Sequence, residues 1–271
     1  MLRWIALLIL VAAAPLQALA QTDATAVENP AFGYELTPDV VFGTGAITVN
    51  GEVVQRDLRF DVYEPTDPTF GESRPAVVLV HGGAFNQGGR RRPPYREGGA
   101  VHSRMEDYAR LLAPLGYVCF VIEYRLTPEL PIPSNPLDSP GFQTAEEAVT
   151  PAALARTNFA RGASGLPPLT LDEHSSEIMN GVMAAAEDAD AAVRHIRNAA
   201  SDYGVDPNRI AMGGHSAGGT TVLNAAFGLG TPLAAIFPLS PAPSGFDMRE
   251  VVTGDGPPTL LLMSQYDAPV I

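Results

Sequence analysis

The sequence predicts an α/β protein, with a mainly parallel sheet, helices on both faces and an antiparallel hairpin at the N-terminal edge. Three observations carry this. Ala76-Val77-Val78-Leu79-Val80 is an apolar run without alternation, as a strand covered on both faces requires. Similar runs recur at Val118 to Ile122, Ile210 to Met212 and Thr259 to Met263, with a shorter one at Ala235-Ile236-Phe237. Helical spacing separates them, and strands alternating with helices imply parallel pairing through right-handed crossovers.

In chain order, Arg3, the apolar stretch Trp4 to Ala14 and the small-residue end Ala18-Leu19-Ala20 read as a secretory signal peptide over residues 1–20. The apolar stretch is shorter than the roughly 20 residues a membrane span needs. Cleavage after Ala20 would leave one domain, residues 21–271, in the periplasm or outside the cell, without a stable membrane span. Residues 21–40 read as a tail or an irregular lead-in. Asn50-Gly51 then sits between two extended arms, the pair a two-residue hairpin turn favours. In the second arm Leu58, Phe60 and Val62 alternate with Asp57, Arg59 and Asp61, which predicts one buried and one wet face.

A helix is expected at about residues 104–113, with Tyr108, Leu111 and Leu112 on one face. A longer one is expected near 178–202, where Ile178, Val182, Ala185, Ala189, Val193, Ile196 and Ala200 recur at three- and four-residue steps and Gly204 supplies a stop. Between them residues 126–176 are rich in proline and too long for an ordinary connection, so they read as an excursion over the sheet, either a lid or a passive insertion.

Composition narrows the function. The chain has 271 residues, 46% of them hydrophobic and 17% charged, enough for a sizeable core. The net charge of −13, one unit more negative without Arg3, argues against nucleic acid and anionic membranes as partners. Cys119 is the single cysteine, so no internal disulfide forms, and its apolar setting reads as core. The five histidines are scattered, no metal-ligand spacing appears, and no cofactor is expected.

The chemistry concentrates in two turns. Gly214-His215-Ser216-Ala217-Gly218 is a G-x-S-x-G pattern with a strand running in and a helix, Thr220 to Phe227, running out. A bend this sharp holds the serine in a strained conformation, and side chains two residues to either side would collide across it. Ser216 is therefore the candidate nucleophile. His81-Gly82-Gly83-Ala84-Phe85 follows the first central strand directly. Attack on an ester carbonyl creates an oxyanion that main-chain amides must already face. Gly82, Gly83, Ala84 and Ala217 are the candidates for that oxyanion hole. His81 reads as a brace for this loop rather than a base, because it leads the segment from beneath.

These residues, with Glu123-Tyr124-Arg125-Leu126 after the second central strand, resemble the α/β-hydrolase superfamily, in particular its H-G-G esterase and lipase (carboxylesterase-like) branch. The resemblance covers about residues 45–271, is poor across the proline-rich stretch, and departs from H-G-G-G at Ala84. It implies a structural role for Glu123-Tyr124-Arg125 and a histidine-orienting acid just beyond the strand Thr259 to Met263, which makes Asp267 the candidate. It also implies a later histidine, after one further strand and before a helix, since the order is serine, acid, histidine. None follows Asp267. Either the sequence is truncated, lacking the last strand and helix, or His81, His102, His174, His195 or His215 is recruited. His195 is expected to face solvent on its helix, His215 to face away from the pocket, and His102 and His174 to lie on loops.

The function this implies is hydrolysis of small-molecule or polymer-borne carboxylic esters through an acyl-enzyme, weak or absent without the histidine. The alternatives are a peptidase on the same fold and a non-catalytic binding protein on a hydrolase scaffold. The basic cluster Arg90-Arg91-Arg92 with Arg96 reads as a solvated loop or as a steering patch for anionic substrate.

Overall fold

A computed structural model describes residues 33–263, except 92–95, 98–99, 102–103, 149, 164 and 243. The expected signal peptide, His102, Arg92 and Asp267 lie outside the described residues.

Strands β1 (Tyr34–Val49) and β2 (Glu52–Pro65) form the N-terminal hairpin. Asn50 and Gly51 turn it with φ of 52° and 84°, the mirror-image turn whose twist suits two antiparallel strands. β3 (Arg74–Val80), β6 (Val118–Ile122), β7 (Val205–His215) and β8 (Ala235–Leu239) follow. The short strands β4 (Arg96–Glu97) and β5 (Ala100–Val101) pair apart from the main sheet. The main sheet runs β1-β2-β6-β3-β7-β8. Pairing is antiparallel up to β6 and parallel from there on.

Side-chain alternation explains the unbroken apolar runs. Ala76, Val78 and Val80 of β3 join Phe120 and Ile122 in one core, beneath α4 (Leu171–Asn198) and α5 (Ala217–Leu223). Val77 and Leu79 join Cys119 and Val121 in a second core on the opposite face, beneath α1 (Met105–Leu112). A strand sandwiched between helices has no wet side, so both sets are apolar. Burial pushes the Cys119 thiol well above its usual range, the behaviour of a core residue and not of a reactive one. Every residue of the periodic set expected on the long helix is buried, and Gly204 follows it with φ of 58°.

Five expectations are corrected. Residues 34–40 are not a lead-in but the start of β1, paired with the end of β2. Asp61 is buried, not wet, because Arg90 and Arg91 cover it. On α1 the buried residues are Met105, Glu106 and Ala109, with Tyr108 and Leu112 packed against the apolar core beside them, while Leu111 is 64% exposed. Residues 259–263 lie parallel beside β8, through Leu260 N–H to Ile236 C=O at 2.9 Å and Ser240 N–H to Leu262 C=O at 2.7 Å. They are not covered on both faces: Leu260, Leu261, Leu262 and Met263 are each at least half exposed, since no described strand lies beyond them. The proline-rich stretch is more ordered than expected, and holds α2 (Ala145–Ala148), α3 (Pro151–Ala163) and the first turn of α4. The short α6 (Met248–Val251) lies between β8 and the last strand-like segment. Among the described residues no helix is long and apolar enough to cross a membrane.

Candidate active site

β7 delivers the chain to Ser216, and α5 starts at the next residue. Ser216 stands at φ 53° and ψ −120°, a conformation that costs a non-glycine residue about 1–3 kcal/mol. Hydrogen bonds hold it there: its N–H donates to Leu239 C=O at 2.8 Å, and its C=O accepts from Thr220 N–H at 2.9 Å. The side chain is half-buried, and its hydroxyl donates to no described residue.

The glycines are fixed by close approach. A Cβ on Gly214 would stand 2.5 Å from Gly218 C=O, and one on Gly218 would stand 2.1 Å from Val80 C=O. A Cβ on Gly82 would come within 2.7 Å of His215 C=O and 3.2 Å of the Ser216 Cβ. Backbone therefore presses on backbone where the serine turn meets the loop after β3, and the structure brings Gly82 directly against Ser216.

That loop is wound tightly. Gly83, Ala84 and Phe85 have φ of 132°, 51° and 59° in succession. Asn86 and Gln87 N–H both donate to Gly83 C=O, at 3.0 and 3.1 Å. The Asn86 side-chain amide donates to Ala84 C=O at 2.7 Å, and Thr127 N–H donates to Phe85 C=O at 2.8 Å. The N–H groups of Gly83 and Ala84 donate to no described residue. Ala217, as the first residue of a helix, has no intrahelical acceptor for its own. The site thus holds a hydroxyl on a strained bend with Gly82 packed against it, followed by amides at Gly83 and Ala84 that have no acceptor among the described residues. His81 braces the loop from beneath: its ring stacks on Tyr124 with centroids 4.3 Å apart, its Nδ1 lies 2.8 Å from Gly82 C=O, and the Tyr124 hydroxyl donates to His81 C=O at 3.0 Å.

Beyond the loop Arg90 and Arg91, the two described side chains of the basic cluster, are ion-paired with acids of β1, β2 and the end of β6. Arg90 bonds Asp61, Asp39 and Glu123, and Arg91 bonds both Asp61 oxygens at 2.7 Å. A cavity of about 520 Å³ opens along residues 86–91, Glu123 and Leu126, and no residue of the serine turn lines it. Arg125 anchors the end of β6. Its guanidinium meets Asp188 at 2.8 Å and Glu187 at 3.0 Å, and donates to Ile132 C=O at 2.9 Å. Asp188 was legible only as a charge in the apolar stripe of α4.

Three histidines are engaged away from the serine. His81 is the brace. His174 lies on α4, not on a loop, buried with Nε2 at 2.8 Å from the Thr157 hydroxyl. Burial and the nearby Arg161 push its pKa down. His195 is half-buried rather than solvent-facing, because its ring meets Phe60 edge-on and its Nε2 lies 3.3 Å from the Tyr203 hydroxyl. The His215 ring lies by Gly82. Sequence reasoning missed Asn86 and Arg161: neither belongs to a motif, and their contact spans 75 residues.

Residues 172–267 match the family model BD-FAE. A comparison with curated proteins yields no match. Among solved structures, Thermogutta terrifontis esterase 2 phosphorylated by paraoxon is similar at 16% identity with a TM-score of 0.50, over 84% of this chain and 69% of that one. A hyperthermophilic esterase from the archaeon Pyrobaculum calidifontis is similar at 23% identity with a TM-score of 0.40, over 77% of this chain and 44% of that one. The Thermogutta likeness is one of fold. The chain therefore has the α/β-hydrolase fold, and its residues 172–267 match the BD-FAE family.

Proposed function

We propose that the chain is a serine hydrolase that cleaves carboxylic esters through an acyl-enzyme. The observation that carries this reading is Ser216, held at positive φ on the strand-to-helix bend and pressed against the loop whose Gly83 and Ala84 amides have no described acceptor. The Ser216 hydroxyl attacks the ester carbonyl. The amides of Gly82, Gly83, Ala84 and Ala217 receive the negative oxygen, and the alcohol leaves. Water then releases the acid from the acyl-serine. Donors fixed in advance are worth about 10²–10³ in turnover each, because nothing reorganises as charge develops.

In this reading Asp267 orients the base, a histidine that takes the Ser216 proton. His81, His174 and His195 do not suit that role, since each is held by other partners. The test therefore supplies a base from solution. Hydrolysis of p-nitrophenyl acetate is measured for the full chain and for Ser216→Ala, with and without added imidazole. The expected result is turnover that depends on Ser216 and that imidazole raises where the chain's own base is weak. Equal rates for the two proteins in both conditions would overturn the reading. The esterase name of the Thermogutta structure agrees with this substrate class.

Export is part of the same proposal: the charge, apolar stretch and small-residue end of residues 1–20 fit a signal peptide. N-terminal sequencing of the secreted or periplasmic protein should begin at Gln21, and a mature chain retaining Met1 would contradict it.

A further inference from the structure

We propose that Arg161 of α3 is a positioning residue for the loop that faces Ser216, acting through the side chain of Asn86. Arg161 and Asn86 are both buried, at 6% and 3% exposure. The Arg161 Nη1 donates to Asn86 Oδ1 at 3.3 Å, and Asn86 Nδ2 in turn donates to Ala84 C=O at 2.7 Å. Arg161 is itself fixed by its Nε, which donates to Pro167 C=O at 2.8 Å. A continuous path therefore runs from the excursion over the sheet, through one guanidinium and one amide, to a peptide unit of the wound loop.

Two further observations make this more than packing. Among the described residues Arg161 has no ion pair at contact distance, the carboxylates of Glu173 and Glu177 acting on it only from further off, so its guanidinium donates to neutral acceptors, Asn86 Oδ1 and Pro167 C=O. The segment it reaches is where the backbone is least able to hold itself, with Ala84 and Phe85 both at positive φ. An amide has one acceptor and one donor end. With the guanidinium engaging the oxygen, the nitrogen is turned toward Ala84 C=O, so the charge on α3 sets which way Asn86 points. Held that way, Asn86 fixes the Ala84 carbonyl and with it the peptide plane that follows.

The inference rests on the ester-hydrolase reading for its kinetic arm, so the experiment has a second arm that does not. Arg161→Met keeps the apolar length and removes the donors. Asn86→Asp keeps an acceptor for Arg161, now charged, and removes the donor to Ala84. Turnover of p-nitrophenyl acetate and hydrogen exchange at the Gln87 amide, which bonds Gly83 C=O across the turn, are measured in the full chain. Both variants should lower kcat about tenfold or more with KM within about twofold, since small displacements near reacting atoms are expensive. Both should speed Gln87 exchange, and Arg161→Lys should recover part of each effect. If Arg161 merely anchored α3, Asn86→Asp would tighten that anchor and leave kcat intact, which overturns the proposal. Should the wild type show no Ser216-dependent turnover, the hydrolase reading falls alone. Gln87 exchange then decides: unchanged exchange in both variants overturns the positioning role, and faster exchange upholds it.

Discussion

At Ser216 the backbone adopts φ 53° and ψ −120°, a region that glycine enters freely and other residues enter at a cost. The fold sustains this cost by fixing both sides of the residue, through Leu239 C=O and Thr220 N–H. Ser216→Gly should therefore be more stable than Ser216→Ala by about 1 kcal/mol, the relieved strain exceeding the greater freedom of glycine in the unfolded chain. Urea unfolding of the two variants checks this, and equal midpoints would mean the bend carries no strain. This residue and its flanking glycines were legible because the steric demand of a tight bend is local. Asp61, Asn86 and Arg161 were not. Each is polar and buried only because a partner arrives from far along the chain, at a separation of 30 residues for Arg91 on Asp61 and 75 for Arg161 on Asn86. Nothing in their own neighbourhoods marks them.

Among the elements, α4 shows what periodicity reveals and conceals. Its apolar stripe fixed the buried face, yet Asp188 sits within that stripe because Arg125, at the end of β6, reaches across to it with main-chain and side-chain donors. Burial pushes the Asp188 carboxyl up while Arg125 opposes the shift, so the pair is kept by mutual contact. Arg125→Met should cost about 3–5 kcal/mol, because an unpaired carboxylate remains in the core. Arg59→Met, at an exposed contact with Asp57, should cost less than about 1 kcal/mol. Chemical denaturation of both variants tests the contrast. The proline-rich region hid α3, whose residues show little segregation into apolar and polar faces and which is held largely by specific contacts such as Arg161 and Thr157. The length of β1 was hidden for a related reason: Glu35, Thr37 and Asp39 are polar and exposed, as an edge strand tolerates and a sequence reader takes for a loop.

For the whole molecule, parallel pairing followed from the alternation of runs and helices, whereas the order of the strands and the cover on each did not. The residues from Leu260 to Met263 have the same apolar character as β3 but lie outermost among the described strands, so their side chains meet water. An exposed apolar edge invites pairing with another chain, and the net charge of −13 opposes it only at a distance. Leu261→Lys should reduce concentration-dependent light scattering severalfold at moderate salt, and unchanged scattering would show that this edge is not the sticky one. The seam where Gly82 meets His215 and Gly218 meets Val80 has a different reach. Because main chain touches main chain there, the two bends cannot slide past each other or admit a larger residue. Any descendant of this protein that acquires new ester preferences would have to reshape the outer walls, chiefly residues 126–176, while this hinge-free joint stays as it is.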